Sequence, residues 1–447
     1  MNDFKNREQY AKELFSFIES SPTAYQTVNT LRAMLLQNGF TELEEHKPWE
    51  VCAGKNYFVT RNGSSLITFR VPADMASALG YQMFATHGDS PSFKLKPSFE
   101  KKAEGGCLQW NVERYGGMIC SSWMDRPLSV AGRVVVSEKS GVRTVPVHIR
   151  RDLALIPNVA IHMDRSMNEG KKYNPQVDML PLAGLYGEGN DLMQVIADEI
   201  GVKTEDIISH DLFLYVRDAG KCIGVNEEFI SAPRIDDLMC TYAALQGFLD
   251  CKPQNAIMVL AVFDNEEIGS SSRQGAASSF LRDTLTRIDQ ALFDADASGL
   301  RRRMANSCLV SADNAHAVHP NHPEYADAQN RPVMGGGIVI KHNAEQRYAT
   351  DAVSAAVFER ICARANVKTQ SFANRSDVRG GSTLGNIAVS DLPALTVDIG
   401  LAQLAMHSAY ETASTNDLIS LIRASRAFYH STVAAVCDGE YRIETIG

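Results

Sequence analysis

Several common sequence signals are absent from this 447-residue chain. Its nine cysteines include no C-x-x-C pair, and the closest two, Cys240 and Cys251, are eleven residues apart. An odd number of scattered cysteines predicts reduced thiols in a cytoplasmic protein rather than a disulfide framework. No apolar run reaches the roughly 18 residues of a membrane span, and the polar N-terminal segment lacks the apolar core of a signal peptide. We therefore expect a soluble protein that has no membrane partner.

Runs of positive charge are also missing. The net charge is −9 and the isoelectric point is near 5.7, which argues against nucleic acid as a partner. The glycines at 335–337 do not form G-x-G-x-x-G before a helix, so we do not expect a dinucleotide site. A length of 447 residues, with 45% hydrophobic and 22% charged residues, suits two globular domains and a large core.

The most informative segment is residues 256–270. Its uninterrupted apolar run, AIMVLAVF at 256–263, predicts a buried strand. The polar sequence Asp264-Asn265-Glu266-Glu267 follows at once, at the strand end where open α/β sheets place ligands. Adjacent carboxylates repel each other, so the two glutamates favour a cation site in which one binds metal and the other handles a proton. The competing interpretation is a helix N-terminus whose acids suit the helix dipole.

Other predicted elements also begin or end in acid or imidazole. The run YQMFATH ends at His87 and Asp89 follows, a pairing in which the carboxylate can hold the second nitrogen of a metal-binding imidazole. A later strand ends at Asp313, and His407 follows a further strand. Asp236 lies at the start of a predicted helix, where helix capping explains it equally well. For His87, a structural histidine is the alternative.

Placed together, these side chains suit a dinuclear metal site. The set contains two imidazoles and four carboxylates: His87, Asp236, Glu266, Glu267, Asp313 and His407. Two imidazoles and three carboxylates can hold two divalent cations that share one carboxylate, which leaves the fourth acid to act as a base. Mixed nitrogen and oxygen ligands favour zinc, with manganese or cobalt as alternatives.

Residues 93–210 differ in character from the rest of the chain. Short β-type runs, separated by glycine and charged turns, predict a mostly β module inserted into an α/β sheet. We therefore divide the chain into a first catalytic part at 1–92, the insert at 93–210 and a second catalytic part at 211–447. Within the insert, His162 lies in an apolar stretch, where a hydrogen-bonded core histidine is the simple interpretation.

Eight segments in order along the chain resemble the aspartyl aminopeptidase family of dinuclear zinc metallopeptidases. They are THGDSPSFKLKP, IPNVAIHMDRSMNEGKKYNPQ, SAPRIDDL, FDNEEIGS, SADNAHAVHPN, KHN-x-x-x-RYA, GGSTLG and MHSAYE. The resemblance extends from about residue 10 to about residue 440 and so covers nearly the whole chain.

The resemblance implies a role for individual residues. Five would be metal ligands: His87 and Asp313 for one zinc ion, Glu267 and His407 for the other, and Asp236 as the bridge. Glu266 would be the general base, and Asp89 would orient the first imidazole. Lys341 and His316 would recognise an acidic side chain at the N-terminal residue of a peptide substrate. His162 would contribute to the active site of a neighbouring subunit.

The resemblance also implies a fold and an assembly. The fold would be a three-layer α/β/α catalytic domain interrupted by a β-rich dimerisation domain, and dimers would assemble into a tetrahedral dodecamer. The substrate would be a peptide with a free N-terminus, preferably Asp or Glu. Two positions depart from the family pattern. Asp237 replaces a frequent asparagine and adds negative charge near the metals, and Arg379 adds a positive charge before the Gly-Gly-Ser-Thr loop.

Two other functions match parts of the pattern. The first is another dinuclear-metal amide hydrolase, such as a deacylase, a carboxypeptidase or an aminopeptidase of neutral specificity. The second is a non-enzymatic, self-assembling shell protein that keeps a metal-binding fold. Glu266 argues against the shell protein, because a structural metal site has no need of a spare base.

Overall fold

The computed structural model describes residues 7–187, 189, 191–293 and 298–445. The helices in these ranges are α1 (Arg7–Ser20), α2 (Ala24–Gln37), α3 (Leu192–Ile200), α4 (Ile235–Asp250), α5 (Phe280–Phe293), α6 (Gly299–Ala305), α7 (Ala352–Arg364), α8 (Leu384–Ala388) and α9 (Thr415–Tyr429). None of the described helices is long and apolar enough to cross a membrane.

The strands fall into four sheets. In chain order they are β1 (Thr41–Leu43), β2 (Asn56–Arg61), β3 (Ser65–Arg70), β4 (Gly80–His87), β5 (Ser92–Lys102), β6 (Cys107–Tyr115), β7 (Leu128–Glu138), β8 (Gly141–His148), β9 (Leu182–Leu185), β10 (Ile207–Val216), β11 (Lys221–Ile223), β12 (Phe229–Ala232), β13 (Ala256–Phe263), β14 (Cys308–Ala312), β15 (Ala315–His316), β16 (Ile338–His342), β17 (Thr369–Ala373), β18 (Leu395–Gly400), β19 (Ala402–Leu404), β20 (Glu411–Ser414), β21 (Ser431–Cys437) and β22 (Glu440–Thr445).

The largest sheet has nine strands in the order β1-β2-β3-β13-β4-β14-β18-β16-β17. At its centre β13, β4, β14 and β18 run parallel, so their carboxyl ends meet at one edge. The predicted strand at 256–263 coincides with β13, whose eight residues are all buried. Such a continuous apolar run is typical of a parallel strand that is covered on both faces.

Two cores cover the two faces of this sheet. Alternate residues of β4 point to opposite faces, so Phe84 joins one core while Met83 and Ala85 join the other. Helices α1, α2, α4, α7 and α9 pack on the first face, and α5, α6 and α8 pack on the second. These layers confirm the predicted α/β fold and give it the three-layer α/β/α arrangement.

A second, antiparallel sheet has six strands in the order β8-β7-β10-β5-β6-β9. It has its own apolar core, to which α3 contributes Leu192 and Ile196. These strands begin at Ser92 and end at Val216, six residues beyond the predicted insert of 93–210. The boundaries of separate domains stay a prediction. A five-stranded sheet, in the order β11-β12-β20-β19-β15, and the hairpin β21-β22 complete the fold.

Candidate metal centre

Three neighbouring parallel strands bring predicted site residues to one edge of the nine-stranded sheet. His87 is the last residue of β4, Glu266 and Glu267 follow β13, and Asp313 follows β14 directly. His87 is paired with Phe263, the last residue of β13, so these strands end at the same level. The carboxyl ends of parallel strands are where open α/β sheets place ligands, and the site is formed there.

Asp236 and His407 approach the same edge from outside this sheet. Asp236 lies in the first turn of α4, soon after β12, and His407 lies in the turn between β19 and β20. Glu411 of β20 joins the two segments. Its Oε2 accepts a hydrogen bond from the backbone N–H of Asp236 at 3.0 Å, and its Oε1 accepts one from the backbone N–H of His407 at 2.7 Å. Glu411 is buried, so it fixes both main chains.

The carboxylate of Asp236 lies between the two imidazoles. Its Oδ1 is 3.5 Å from Nε2 of His87, and its Oδ2 is 3.5 Å from Nε2 of His407. Glu267 approaches the second imidazole, with its Oε2 at 3.3 Å from Nε2 of His407. Separations of 3.5 Å are too long for good hydrogen bonds, so these atoms are available to a cation. One carboxylate therefore faces both predicted imidazole ligands.

Three overlapping sets of side chains have ligand atoms within 4.8 Å of one another in the described part of the chain. They are His87 with Asp236, Asp237 and Asp313; His87 with Glu266 and Glu267; and Asp236 with Glu267 and His407. Among the described residues, one buried oxygen on each of Asp236, Asp237 and Glu267 has no hydrogen-bond partner. Unpaired buried carboxylate oxygens are costly, and a bound cation would satisfy them.

The surplus of negative charge shifts the protonation of this cluster. Burial, followed by repulsion from Asp313, raises the pKa of Glu266 to about 8. Burial opposes charge on His407, but its close contact with the carboxylate of Asp236 and the charge of Glu267 raise its pKa to about 10. The protein side chains alone therefore retain protons in this cluster. Because metal ligands must be deprotonated, a bound cation would displace these protons.

Asp89 lies behind His87, as the sequence pairing suggests. Nδ1 of His87 is 3.1 Å from the main-chain oxygen of Asp89 and 3.4 Å from its carboxylate Oδ1. The main-chain oxygen is the better-placed acceptor, and the carboxylate adds a longer electrostatic contact. With Nδ1 directed at Asp89, Nε2 faces the carboxylate of Asp236. This arrangement sets which imidazole nitrogen is presented to a metal.

Lys341 lies beside the cluster and is buried, with 3% of its surface exposed. Its Nζ is 3.7 Å from Oδ2 of Asp313 and 5.6 Å from the centre of the Tyr348 ring. Burial opposes its charge, but Asp313 raises its pKa, so the ammonium stays charged. His316 is nearby: desolvation first, and then the charge of Lys341, lower the pKa of its imidazole.

His162 is the predicted site residue that the structure keeps apart from these clusters. It is exposed, so its interpretation as a core histidine is wrong. Its neighbours Val159, Ile161 and Met163 are also exposed, by 41%, 46% and 83%. Apolar side chains that water covers in a single chain are typical of a surface that another molecule covers.

Comparison with known proteins decides the family. The sequence model described as Aminopeptidase I zinc metalloprotease (M18) matches residues 17–429. A probable M18 family aminopeptidase 2 of Clostridium acetobutylicum is 44% identical over 432 residues, which is 95% of this chain and 100% of that protein. The chain belongs to the M18 family of zinc metallo-aminopeptidases. This finding confirms the resemblance in its motifs, while the aspartyl-specific type stays a prediction.

Solved M18 structures share this fold. The cryo-EM structure of Ape4 in complex with Nbr1 aligns with a TM-score of 0.91 at 36% identity, covering 95% of this chain and 86% of that one. The mApe1 dodecamer of S. cerevisiae aligns with a TM-score of 0.83 at 27% identity, covering 95% of this chain and 97% of that one. The three-layer fold is therefore the M18 fold.

The residues present suit the zinc that the M18 family uses. Zinc takes imidazole nitrogen and carboxylate oxygen as ligands, and the cluster offers both, with buried oxygens that lack a hydrogen-bond partner among the described residues. Sequence reasoning named these candidate ligands but gave no role to three residues that hold the chain around them: Glu411, and also Tyr115 and Asn265, which hydrogen-bond to each other beside Asp89. Glu411 stands four residues after His407, a spacing that is visible in the sequence. Tyr115 precedes Gly116-Gly117 at a strand end, and this pattern alone only weakly indicates a residue of a functional site.

Proposed function

We propose that this M18 chain removes an N-terminal Asp or Glu from peptides, with two divalent cations and Glu266 as the general base. The observation that carries this proposal is the position of Asp236, whose two oxygens face two different imidazoles at 3.5 Å each. Paired metal ions that share a site are a recurring device of aminopeptidases. A carboxylate that offers one oxygen to each of two neighbouring cations suits that device.

Charge balance supports two cations over one. Five carboxylates belong to the overlapping sets: Asp236, Asp237, Glu266, Glu267 and Asp313. One ammonium, that of Lys341, lies beside them at 3.7 Å from Asp313. With neutral imidazoles, these side chains carry several more negative than positive charges, which two divalent ions balance better than one. We assign His87 and Asp313 to one ion, Glu267 and His407 to the other, and Asp236 to both; zinc is the first candidate, and manganese or cobalt are alternatives.

Glu266 is the carboxylate left over from this assignment. When bound, the cations lower the pKa of a water molecule and polarise the peptide carbonyl. Glu266 takes the proton of the attacking water and delivers it to the leaving amine. Its main chain is held by Asp89, whose Oδ1 accepts a hydrogen bond from the N–H of Glu266 at 3.2 Å. A base fixed in this way needs little reorganisation at the moment of proton transfer.

Lys341 supports the preference for an acidic N-terminal residue. Its buried ammonium is too far from Asp313, at 3.7 Å, to form a direct hydrogen bond with it. The N–H donors of Lys341 can therefore bind the carboxylate of an aspartyl or glutamyl side chain. A buried charge left without a close partner is costly, so a peptide with an apolar first residue would bind less well.

The exposed loop around His162 supports a function in an assembly. The structure of mApe1 is that of a dodecamer. We propose that the six-stranded sheet, which overlaps the predicted insert of 93–210, is a dimerisation module of a similar dodecamer. Covering Val159, Ile161 and Met163 would remove apolar surface from water, which favours association. His162 would then lie at the active site of the neighbouring subunit.

Hydrolysis of four matched peptides tests the proposed function. The peptides differ in their first residue, which is Asp, Glu, Leu or Lys, and an N-acetylated Asp peptide serves as the control. The protein is loaded with zinc in one series and with manganese in another. We expect fast cleavage of the Asp and Glu peptides, and no cleavage of the acetylated peptide.

Other outcomes would contradict separate parts of the proposal. A preference for Leu would keep the aminopeptidase chemistry and overturn the assignment of Lys341. Cleavage of the acetylated peptide would indicate a different amide hydrolase. No cleavage of any peptide with a free amine would overturn the peptidase function and favour a deacylase or a shell protein.

A further inference from the structure

Residues 115–122 pass from the six-stranded sheet to the metal centre. Tyr115 is the last residue of β6, and its ring packs edge-on against Phe213 of β10, with ring centres 5.4 Å apart. Its hydroxyl group leaves that sheet and donates a hydrogen bond to Oδ2 of Asp89 at 2.7 Å. A residue of the predicted insert therefore contacts the carboxylate behind the first metal-binding imidazole.

The direction of this hydrogen bond is determined by a second donor. Nδ2 of Asn265 donates to the hydroxyl oxygen of Tyr115 at 2.9 Å. The amide oxygen of Asn265 is itself held by Ser272 at 2.7 Å and by Gln274 at 2.8 Å. A tyrosine hydroxyl has one proton to donate, and Asn265 already supplies a donor to its oxygen, so that proton is directed at Asp89.

Asp89, which Tyr115 holds in place, contacts three parts of the site. Its Oδ1 accepts the N–H of Glu266 at 3.2 Å, and its Oδ2 accepts the N–H of Glu267, also at 3.2 Å. The same residue faces Nδ1 of His87. The carboxylate that Tyr115 holds thus connects an imidazole ligand, a carboxylate ligand and the general base of the proposed function.

The same segment also reaches the second imidazole. The main-chain oxygen of Gly117 is 3.2 Å from Nδ1 of His407, and the N–H of Ile119 donates to the main-chain oxygen of His407 at 2.9 Å. Ser122 accepts a hydrogen bond from the N–H of Ala409 at 2.8 Å. With Nδ1 of His407 directed at Gly117, its Nε2 faces the cluster.

We propose that Tyr115 is a positioning residue of the metal centre, acting through Asp89 on His87 and on the turn that carries Glu266 and Glu267. The proposal rests on the metal centre of the proposed function but not on its substrate. The six-stranded sheet thereby supplies part of the outer support of both imidazoles, in addition to any contacts between subunits. Outer hydrogen bonds of this kind orient ligands and typically change metal affinity or activity by about 10- to 100-fold.

The variant Tyr115→Phe isolates the hydroxyl group, because the ring and its contact with Phe213 remain. Tyr242→Phe is a matched control. The hydroxyl of Tyr242 also donates to a carboxylate at 2.7 Å, that of Glu13, which is not one of the cluster residues. We expect zinc to leave the Tyr115→Phe protein about 10- to 100-fold faster in the presence of a chelator, while the Tyr242→Phe protein releases zinc at the wild-type rate.

A double variant tests whether the effect passes through Asp89. In the Asp89→Asn background, Tyr115→Phe should produce little further change in zinc release. Equal release rates for wild type and Tyr115→Phe would overturn the proposal, as would equal changes in both tyrosine variants or a full effect in the Asp89→Asn background. Zinc release does not depend on peptide choice. A wild type that cleaves no acidic peptide therefore refutes the proposed function and leaves this test intact.

Discussion

Buried carboxylates lie beside both ends of strand β4, but their partners differ between the two ends. Near Tyr81, at the first end, Asp289 forms an ion pair with Arg303 through Nε and, at 2.7 Å, through Nη2. At the other end, Oδ1 and Oδ2 of Asp236 each lie 3.5 Å from an imidazole nitrogen, of His87 and His407 respectively. Asp289 is paired by a guanidinium that never loses its charge, whereas Asp236 lies among residues that suit a metal ion.

This difference separates carboxylates that stabilise the fold through an ion pair from carboxylates that are placed to bind a metal ion. A buried charge with a fixed, bidentate partner is compensated within the chain. The oxygens of Asp236 lie 3.5 Å from imidazole nitrogens, and Oδ1 has no hydrogen-bond partner among the described residues, so the charge of Asp236 is compensated less fully within the chain. Substitutions at the two ends should therefore have different signatures: loss of stability alone at one end, and loss of metal and turnover at the other.

The largest expected effect belongs to Asp236→Asn. Losing the shared carboxylate should remove both cations and lower turnover by roughly 10⁴-fold, because the charge stabilisation that metal supplies disappears. Burial opposes the charge of Asp236, but His407 and His87 lower its pKa in the metal-free protein, so the substitution should also lower the unfolding free energy, and loss of metal is the signature that sets it apart. Metal content by mass spectrometry, turnover and urea unfolding test these points. A variant that retains two metal ions per chain would show that Asp236 is not shared.

Glu266→Gln should leave metal content unchanged and reduce turnover by about 10²- to 10⁴-fold, the usual contribution of a general base. Glutamine keeps the shape of the side chain but cannot accept a proton. Metal analysis together with steady-state kinetics on an Asp-terminated peptide would test this. Turnover at the wild-type level would rule out Glu266 as the base.

At the opposite end of β4, Asp289→Asn should lower stability but leave metal content and turnover unchanged. It leaves the half-buried guanidinium of Arg303 without its charged partner, and because hydrogen bonds to charged groups contribute about 1.5 to 3 kcal/mol, the unfolding free energy should fall by about 2 to 3 kcal/mol. Turnover per folded molecule and metal content should stay at wild-type values, since the pair lies at the end of β4 away from His87. Urea unfolding measures the loss of stability. A fall in turnover without a fall in stability would contradict the comparison.

Asp417 is a third kind of buried carboxylate, one that is held by backbone N–H groups, and it gives the smallest of the expected effects. Asp417 accepts hydrogen bonds from the N–H groups of Gly335 at 2.7 Å and Gly337 at 2.9 Å, and burial raises its pKa from 3.8 to about 6. Between pH 4 and 6 the folded protein keeps a proton that the unfolded chain has released. Raising the pH from 4 to 6 should therefore lower the unfolding free energy by about 2 kcal/mol from this group.

Asp417→Asn removes this titration, so the variant should lose less stability than the wild type between pH 4 and 6. The comparison uses the difference between wild type and variant in the change of unfolding free energy with pH, so that the titration of the metal ligands, which both proteins share, cancels. Parallel pH profiles for wild type and variant would show that Asp417 does not bind a proton in this range.

Much of the fold and most of the candidate site could be predicted from the sequence. The run at 256–263 is apolar on both faces, so its assignment as a buried strand needed no tertiary information and matches β13. The strand-end positions of His87 and Asp313 could be recognised in the same way, because each is a polar residue that follows an apolar run.

Other features could not be predicted, because they depend on segments that are far apart in the chain. His162 lies in an apolar stretch of sequence but is exposed, and Lys341 follows an apolar strand but is buried beside Asp313. Local patterns indicate whether a side chain is apolar. They do not indicate which other segment covers it.

The sequence by itself determined the strands, their apolar faces and the acids and imidazoles at their ends, because these features depend on residue order within a few positions. The tertiary structure alone decided that Asp236 offers one oxygen to each imidazole and that Tyr115 supports Asp89 from a different sheet. Both contacts join segments more than twenty residues apart. Such contact distances depend, to within a few tenths of an ångström, on the packing of whole sheets and helices, which no local pattern encodes.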